Sequence, residues 1–209
     1  MATNEIRITG LGGQGVILCG YIIGKAASIF NEQHATLTQS FGPEARGSAC
    51  SAQVVVSDER VLYPYVTTPQ VLVAMSHDGY MTHKDNLSKD AVIVYESDMV
   101  KVEKHGSGVK LYGIPSTRFA EELGRKIVLN IVMLGFFGAV GGILPGDALR
   151  QAVESSVPTG TEELNLKAFD KGYEYGLELL GGEKPKIKSK PKPKAKAKPK
   201  SKAKAKAKA

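Results

Sequence analysis

Two apolar rhythms alternate along the first 180 residues and predict a succession of strands and helices. Ile6 and Ile8 alternate with polar neighbours, as in a strand with one buried face. Beyond a Gly-rich turn, Val16, Gly20, Ile23, Ala27 and Phe30 recur at spacings of 4, 3, 4 and 3, which puts them on one side of a helix. A second strand is predicted at Ala35 to Thr38, then a Gly/Pro loop from Ser40 to Gly47, then a β-rich run from Ala49 to Val56. The turn Ser57-Asp58-Glu59 predicts a hairpin that returns through Val61 and Leu62. Val71 to Met75 is short and continuously apolar, the pattern of a strand covered on both faces. A polar helix near His77 to Leu87 and another buried strand at Ala91 to Tyr95 follow.

The last strand is predicted at Val109 to Tyr112, with Gly113-Ile114-Pro115 as the stop before a long helix from about Thr117. Ile127 to Leu144 runs 18 residues without a charge, at the lower edge of a membrane-spanning length. It contains Asn130, Gly135, Gly138, Gly141 and Gly142 and follows Glu121, Glu122, Arg125 and Lys126, so a buried core helix ending near Gly141 is the better expectation. Pro145-Gly146-Asp147 separates it from a helix at Ala148 to Ser155. The final helix carries Leu166, Phe169, Tyr173, Leu177 and Leu180 on one stripe and stops at Gly181-Gly182. Strands alternating with helices predict an α/β fold: a Rossmann-like three-layer sandwich with a mainly parallel sheet and right-handed crossovers. Ligands or partners are expected at the carboxyl ends of its strands.

Charge divides the 209 residues in two. The chain holds 28 Lys+Arg against 21 Asp+Glu, a net +7, but from Lys184 onward a Lys occupies every even position, 13 in all, with no acid and no Arg. Residues 1–183 therefore keep 15 bases against 21 acids, a net of −6, and form one acidic α/β domain. Residues 184–209 are a Lys/Ala/Pro tail with one large apolar residue, Ile187, and its composition predicts disorder. Such a polycation attracts DNA, RNA or anionic lipid loosely and salt-sensitively. It has no aromatic for stacking, so solubility or contact with acidic proteins serves equally well. A non-specific nucleic-acid-binding protein is one alternative reading.

Cys19 and Cys50 are the only cysteines and lie 31 positions apart, so an iron–sulfur cluster or a Cys-rich zinc site is not expected from this chain. Two lone thiols fit a reducing cytoplasm. Met1-Ala2-Thr3-Asn4-Glu5 lacks the basic start and apolar run of a signal peptide, and a cytoplasmic location is expected. His34, His83 and His105 have no metal-ligand spacing with one another, His77 and Asp78 read as a solvent-facing helix start, and no Gly-x-Ser-x-Gly supports a hydrolase.

Two constellations remain. Gly10-Leu11-Gly12-Gly13-Gln14-Gly15 fits G-x-G-x-x-G after a strand and before a helix, where free N–H groups and the helix dipole favour an anion. The acidic residue that would hold a ribose is missing: the second strand ends at Thr38-Gln39-Ser40 and the next acid is Glu44. A stand-alone NAD-dependent dehydrogenase is thus a further alternative, beside glycines that only serve a tight turn and beside contact with a partner or its phosphate. The second constellation is Gln39-Ser40-Phe41-Gly42-Pro43-Glu44-Ala45-Arg46-Gly47-Ser48. Pro43 and its flanking glycines frame Glu44 and Arg46. Arg46 then either clamps a carboxylate or phosphate with two parallel hydrogen bonds or pairs with Glu44 to shape an interface.

Taken together, the two motifs resemble the gamma subunit of the 2-oxoacid:ferredoxin (acceptor) oxidoreductases, over about Glu5 to Leu180 and including Tyr63-Pro64 and Val71-Leu72-Val73-Ala74-Met75. Thr38-Gln39-Ser40 and Ala45 look more like the 2-oxoglutarate type than the pyruvate type. Ser48 departs from the second Gly usual there. The resemblance implies CoA-dependent oxidative decarboxylation of a 2-oxoacid to acyl-CoA and CO2, with electrons passing to ferredoxin. Thiamine diphosphate with Mg, iron–sulfur clusters and the CoA site would come through alpha and beta subunits, because this chain has no Gly-Asp-Gly string for a Mg-diphosphate; Gly146-Asp147-Ala148 fails at its third position. No catalytic acid, base or nucleophile and no metal site is expected here. The interface or ligand candidates are Gly10, Gly12, Gly13, Gln14, Gly15, Gln39, Ser40, Gly42, Pro43, Glu44, Arg46 and Gly47.

Overall fold

In the structure, a computed structural model that describes residues 3–44 and 46–181, the alternation resolves into a six-stranded mixed sheet with helices on both faces. The strands are β1 (Thr3–Leu11), β2 (His34–Phe41), β3 (Ala49–Ser57), β4 (Val71–Ala74), β5 (Val92–Glu96) and β6 (Lys110–Ile114). Their order across the sheet is β2-β3-β1-β4-β5-β6. β1, β4, β5 and β6 run parallel, whereas β3 is antiparallel to both β1 and β2. Five strands therefore point one way and β3 opposes them.

The placement of β3 corrects one expectation. Val61 and Leu62 form no hairpin with it; β3 pairs instead with β2 through Leu37↔Val54 and with β1 through Ile8↔Ala52, and Leu62 is 87% exposed. Val54, Val55 and Val56 are all buried, so the strand is covered on both faces, as an interior strand of the sheet is. Ser40 and Phe41 also belong to β2 rather than to the loop, which shortens the connection to residues 42–48.

Helix α1 (Val16–Lys25) continues into a π-helical turn at Ala26–Phe30, and the expected stripe of Val16, Gly20, Ile23 and Ala27 is buried. Helix α2 (His77–His83) starts at Ser76, whose hydroxyl accepts from the Gly79 amide at 3.2 Å. The long helix expected from Thr117 is broken: α3 (Ser116–Glu122) stops, Gly124 takes φ +84, and a short 3-10 turn at Lys126–Val128 leads into α4 (Leu129–Val140). Ile127, expected in the buried run, is 75% exposed. All 12 residues of α4 are buried, and it ends at Gly141 as its sequence predicts.

Helices α5 (Gly146–Glu154) and α6 (Glu162–Leu179) complete the larger layer. The expected stripe of α6 packs on the core, with Phe169 buried and Leu166, Tyr173, Leu177 and Leu180 half-buried against it, and the other buried positions are Asn165, Ala168, Gly172 and Gly176. Small residues there let α4 approach closely: a Cβ on Gly172 would collide with the Val132 carbonyl, and one on Gly135 with the Phe169 carbonyl. The main core joins α1, α4, α5 and α6 to one face of the sheet, and a smaller cluster of Leu72, Ala74, Tyr80, Ile93 and Val100 covers the other. Among the described residues no helix is long and apolar enough to cross a membrane.

On the α2 side, Arg7 of β1 donates through Nη1 to His83 Nδ1 at 2.9 Å and through Nη2 to the Val66 carbonyl at 2.9 Å. Burial, and secondarily the Arg7 charge, push His83 down from 6.5 to about 4. Below pH 6.5 the unfolded chain takes up a proton that the folded chain refuses, so stability should fall as pH drops from 6.5 toward 4. His83→Gln keeps a neutral acceptor for Arg7 and should flatten part of this dependence. Parallel urea titrations across that range test it, and identical slopes for both proteins would remove His83 as a contributor.

Candidate functional site

The register of three strands brings both constellations to one edge. Leu11 at the end of β1 opposes Ala49 at the start of β3, and Phe41 at the end of β2 opposes Cys50. The segments that leave these strands, 12–15 and 42–48, must therefore run side by side. They are hydrogen-bonded to each other: the Gly12 amide donates to the Ser48 carbonyl at 2.9 Å, and the Gly47 amide donates to the Gly12 carbonyl at 3.2 Å. A groove of about 290 Å3 lies along their junction, lined by Gly12, Phe41, Gly42, Pro43, Glu44 and Ser48 together with Ala49 and Cys50, the first residues of β3.

Three glycines of the turn each have a distinct reason. Gly13 and Gly15 sit at φ +95 and +77, a region that L side chains enter only with strain. A Cβ on Gly10 would lie 2.6 Å from Gln14 Oε1 and 3.1 Å from Met75 Cβ, and one on Gly15 would collide with the Asn130 carboxamide. Gln14 itself is turned inward: its Oε1 accepts from the Leu11 amide at 2.7 Å and its Nε2 donates to the Met75 carbonyl at 3.0 Å. Its side chain therefore ties the turn to the end of β4.

In the second segment, the Gly42 amide donates to the Ala49 carbonyl at 2.9 Å, and the Ser48 hydroxyl donates to the Glu44 carbonyl. Gly47 takes φ +82, so the elbow after Arg46 is a glycine position. Glu44 and Arg46 are exposed, and neither makes an ion pair with the other or with any other described residue. An intrachain Arg46–Glu44 pair is absent from this arrangement. Gln39 and Ser40 are exposed on the outer strand β2, and Phe41, 65% exposed, adds an apolar surface beside the elbow. Tyr63-Pro64 is not brought here; the segment lies beside the first residues of β1, where Gln70 donates to the Glu5 carbonyl and Val66 to Gln53 Oε1.

The dinucleotide alternative meets an obstacle in the topology. In a nucleotide-binding βαβ unit the strand that follows the first helix lies parallel and adjacent to the first strand, whereas here β3 separates β1 from β2. The Gly12 and Gln14 amides are also engaged, with the Ser48 and Leu11 carbonyls.

The donor set does not fit a cluster or a Mg-diphosphate. Cys19 is buried, its thiol donates to the Asn130 carbonyl at 3.5 Å, and burial pushes it up to about 12. Burial also raises the Cys50 thiol. Both are protonated thiols rather than the thiolates that bind metals. No group of three or more His, Cys, Asp or Glu side chains is positioned to hold a metal ion among the described residues.

Sequence reading missed two features of this edge. Glu96, at the end of β5, is fully buried, and its carboxylate accepts from the Asp98 and Met99 amides at 2.7 and 2.8 Å and from the Thr117 amide at 3.1 Å. Met99 in turn has its sulfur 3.8 Å from Gln14 Nε2. A single Glu before Ser-Asp has no local signal of burial. The second is a cavity between the starts of α1, α4 and α6, which only the tertiary structure assembles.

Comparison with known proteins adds an independent line. The family model described as pyruvate ferredoxin/flavodoxin oxidoreductase matches residues 5–175. The chain is 45% identical over 178 residues to the 2-oxoglutarate synthase subunit KorC of Methanocaldococcus jannaschii, covering 84% of this chain and 95% of that protein. It is 47% identical over 181 residues to the protein of the same description from Methanothermobacter thermautotrophicus, covering 84% of this chain and 96% of that one. Among solved structures, the keto/oxoacid ferredoxin oxidoreductase gamma subunit from Geobacter sulfurreducens superposes with a TM-score of 0.73 at 36% identity, covering 84% of this chain and 99% of that one.

Proposed function

The chain belongs to the pyruvate ferredoxin/flavodoxin oxidoreductase family, as a gamma subunit of the 2-oxoglutarate type, and from this premise we propose that its Gly-rich turn and Arg46 elbow form one docking face for the larger subunits that carry the reaction. The observation that carries the reading is the pair of hydrogen bonds joining Gly12 to Ser48 and Gly47. They make two separate motifs a single rigid surface at the carboxyl end of the sheet, where α/β proteins meet ligands. Arg46 stands on that surface without an ion pair among the described residues, ready for a carboxylate or phosphate from the other side of the junction.

In this reading the complex oxidatively decarboxylates 2-oxoglutarate in a CoA-dependent reaction. Thiamine diphosphate with Mg and iron–sulfur clusters reside in the alpha and beta subunits, and electrons leave to ferredoxin. The buried, protonated thiols, and the lack among the described residues of three or more ligating side chains in one place, support placing that chemistry elsewhere, with this subunit supplying position and a charged contact. The acidic domain of residues 1–183 performs the docking, and the Lys/Ala/Pro tail of residues 184–209 lies outside the described residues.

Arg46→Ala tests the assignment in a complex reconstituted from all subunits. The elbow is set by Gly42, Gly47 and Ser48, so the variant should fold, and assemble when subunits are in excess. Losing a desolvated charge-assisted contact costs about 1.5–3 kcal/mol, which predicts subunit affinity, and with it turnover at limiting subunit, lower on the order of 10- to 100-fold. Arg46→Lys should recover only part of it, because the bidentate fork is lost. An Arg46→Ala complex that, at limiting subunit, assembles and turns over 2-oxoglutarate at the normal rate would withdraw Arg46 from the docking face.

A further inference from the structure

Away from the elbow, three helices begin on the wall of one cavity of about 360 Å3. Gly15, Val128 and Thr161, the residues preceding α1, α4 and α6, all line it, and no side chain caps α1 or α6. The volume is in the range of small-molecule sites. Leu18, Ile131, Val157 and Leu164 make its body apolar, and among the described residues no acid lines it.

Two polar side chains stand out on this apolar wall. Asn130 is 5% exposed, and its carboxamide makes no hydrogen bond with any described residue; only its backbone carbonyl is used, by Cys19. A buried carboxamide left unpartnered destabilises the chain that keeps it, and the surface it retains faces the cavity. Its neighbour Asn165 contrasts with it, since its amide donates to Thr161. At the other end, exposed Arg125 lines the mouth beside Ile127, and its guanidinium makes no ion pair among the described residues. The acids at the start of α6 are occupied off the wall: Glu163 pairs with Lys167, and Glu162 accepts from the Gly160 amide.

We propose that this cavity binds a small amphipathic carboxylate: Arg125 pairs with the carboxylate at the mouth, the apolar wall takes the carbon chain, and Asn130 bonds a hydroxyl or oxo group at the inner end. The positive ends of the α1 and α6 dipoles favour the same sign of ligand charge. A neutral apolar molecule would leave both polar groups unanswered. The inference stands on the cavity alone and does not depend on the docking reading, so either can fail without the other.

Calorimetric titration of the full-length chain with 6-hydroxyhexanoate, hexanoate and 1-hexanol tests it. Binding is expected in that order, with hexanoate about tenfold tighter than hexanol, an Arg–carboxylate pair's worth of discrimination. Arg125→Gln, at an exposed position, should erase the advantage of the carboxylates over hexanol. Asn130→Ala should erase the advantage of 6-hydroxyhexanoate over hexanoate. The lysine tail is the same in every variant, so the differences report the cavity. No saturable binding, hexanol as tight as hexanoate, or carboxylate affinity unchanged in Arg125→Gln would each overturn the proposal.

Discussion

Gly172→Ala is expected to destabilise the fold by about 3 kcal/mol, at the upper end of overpacking effects, even though alanine is the better helix former by roughly 1 kcal/mol. The added methyl would collide with the Val132 carbonyl and lie 3.0 Å from the Phe136 amide. Both are backbone atoms of α4, so no rotamer change relieves the contact. Separating the helices would loosen Phe136, Phe137 and Phe169, all buried between them and the sheet. Gly135→Ala makes the reciprocal contact with the Phe169 carbonyl and should behave alike. Gly24→Ala is the control, because Gly24 lies within α1 with nothing within 4 Å of its added Cβ. That variant should be neutral or stabilised by up to about 1 kcal/mol. At roughly 2–4 °C per kcal/mol for a domain of this size, thermal unfolding separates the two outcomes. A Gly172→Ala chain as stable as its parent would show that α4 and α6 are not held at glycine contact.

The contrast between those glycines marks where sequence reasoning works and where it stops. Local periodicity was enough for α1, whose stripe of Val16, Gly20, Ile23 and Ala27 is buried. It was enough for β4, buried at every position, and for the turn at Gly10–Gly15, whose glycines carry local backbone demands. It failed where the decisive partner is far along the chain. The run from Ala49 to Val56 reads as a strand, but nothing within it says that β1 and β2 flank it rather than Val61 and Leu62. The large residues of α6 do pack on the core as their spacing says, but its close contact with α4 is set by Gly172 and Gly176. The break after α3 turns on Gly124 at φ +84, inside a stretch whose charges fit an amphipathic helix equally well. For the candidate site, the motifs were legible and their junction was not: Gly12 and Ser48 are 36 positions apart, and only β3 brings them to 2.9 Å.

Glu96→Ala should cost about 4 kcal/mol, comparable to stripping one partner from a buried charged network. The side chain is fully buried, and three amides converge on it. Alanine would leave the Asp98, Met99 and Thr117 amides without their acceptor, and hydrogen bonds to a charged group contribute roughly 1.5–3 kcal/mol each. Glu96→Gln separates charge from shape. Its single oxygen can keep the Asp98 and Met99 donors on one side, but the NH2 group then faces the Thr117 amide, and one of the three bonds becomes donor against donor. Glutamine should therefore lose about a third to a half as much as alanine. The damage should reach the candidate site, because residues 97–99 carry the Met99 sulfur to Gln14 Nε2, and Gln14 holds the Gly-rich turn through Leu11 and Met75. Amide exchange in Glu96→Gln should thus rise first at Asp98, Met99 and Thr117 and next at Leu11, whose amide donates to Gln14 Oε1. Protection at Leu11 that is unchanged while Thr117 opens would break the link between this carboxylate and the turn, and leave Glu96 as a cap for α3 and its preceding turn only.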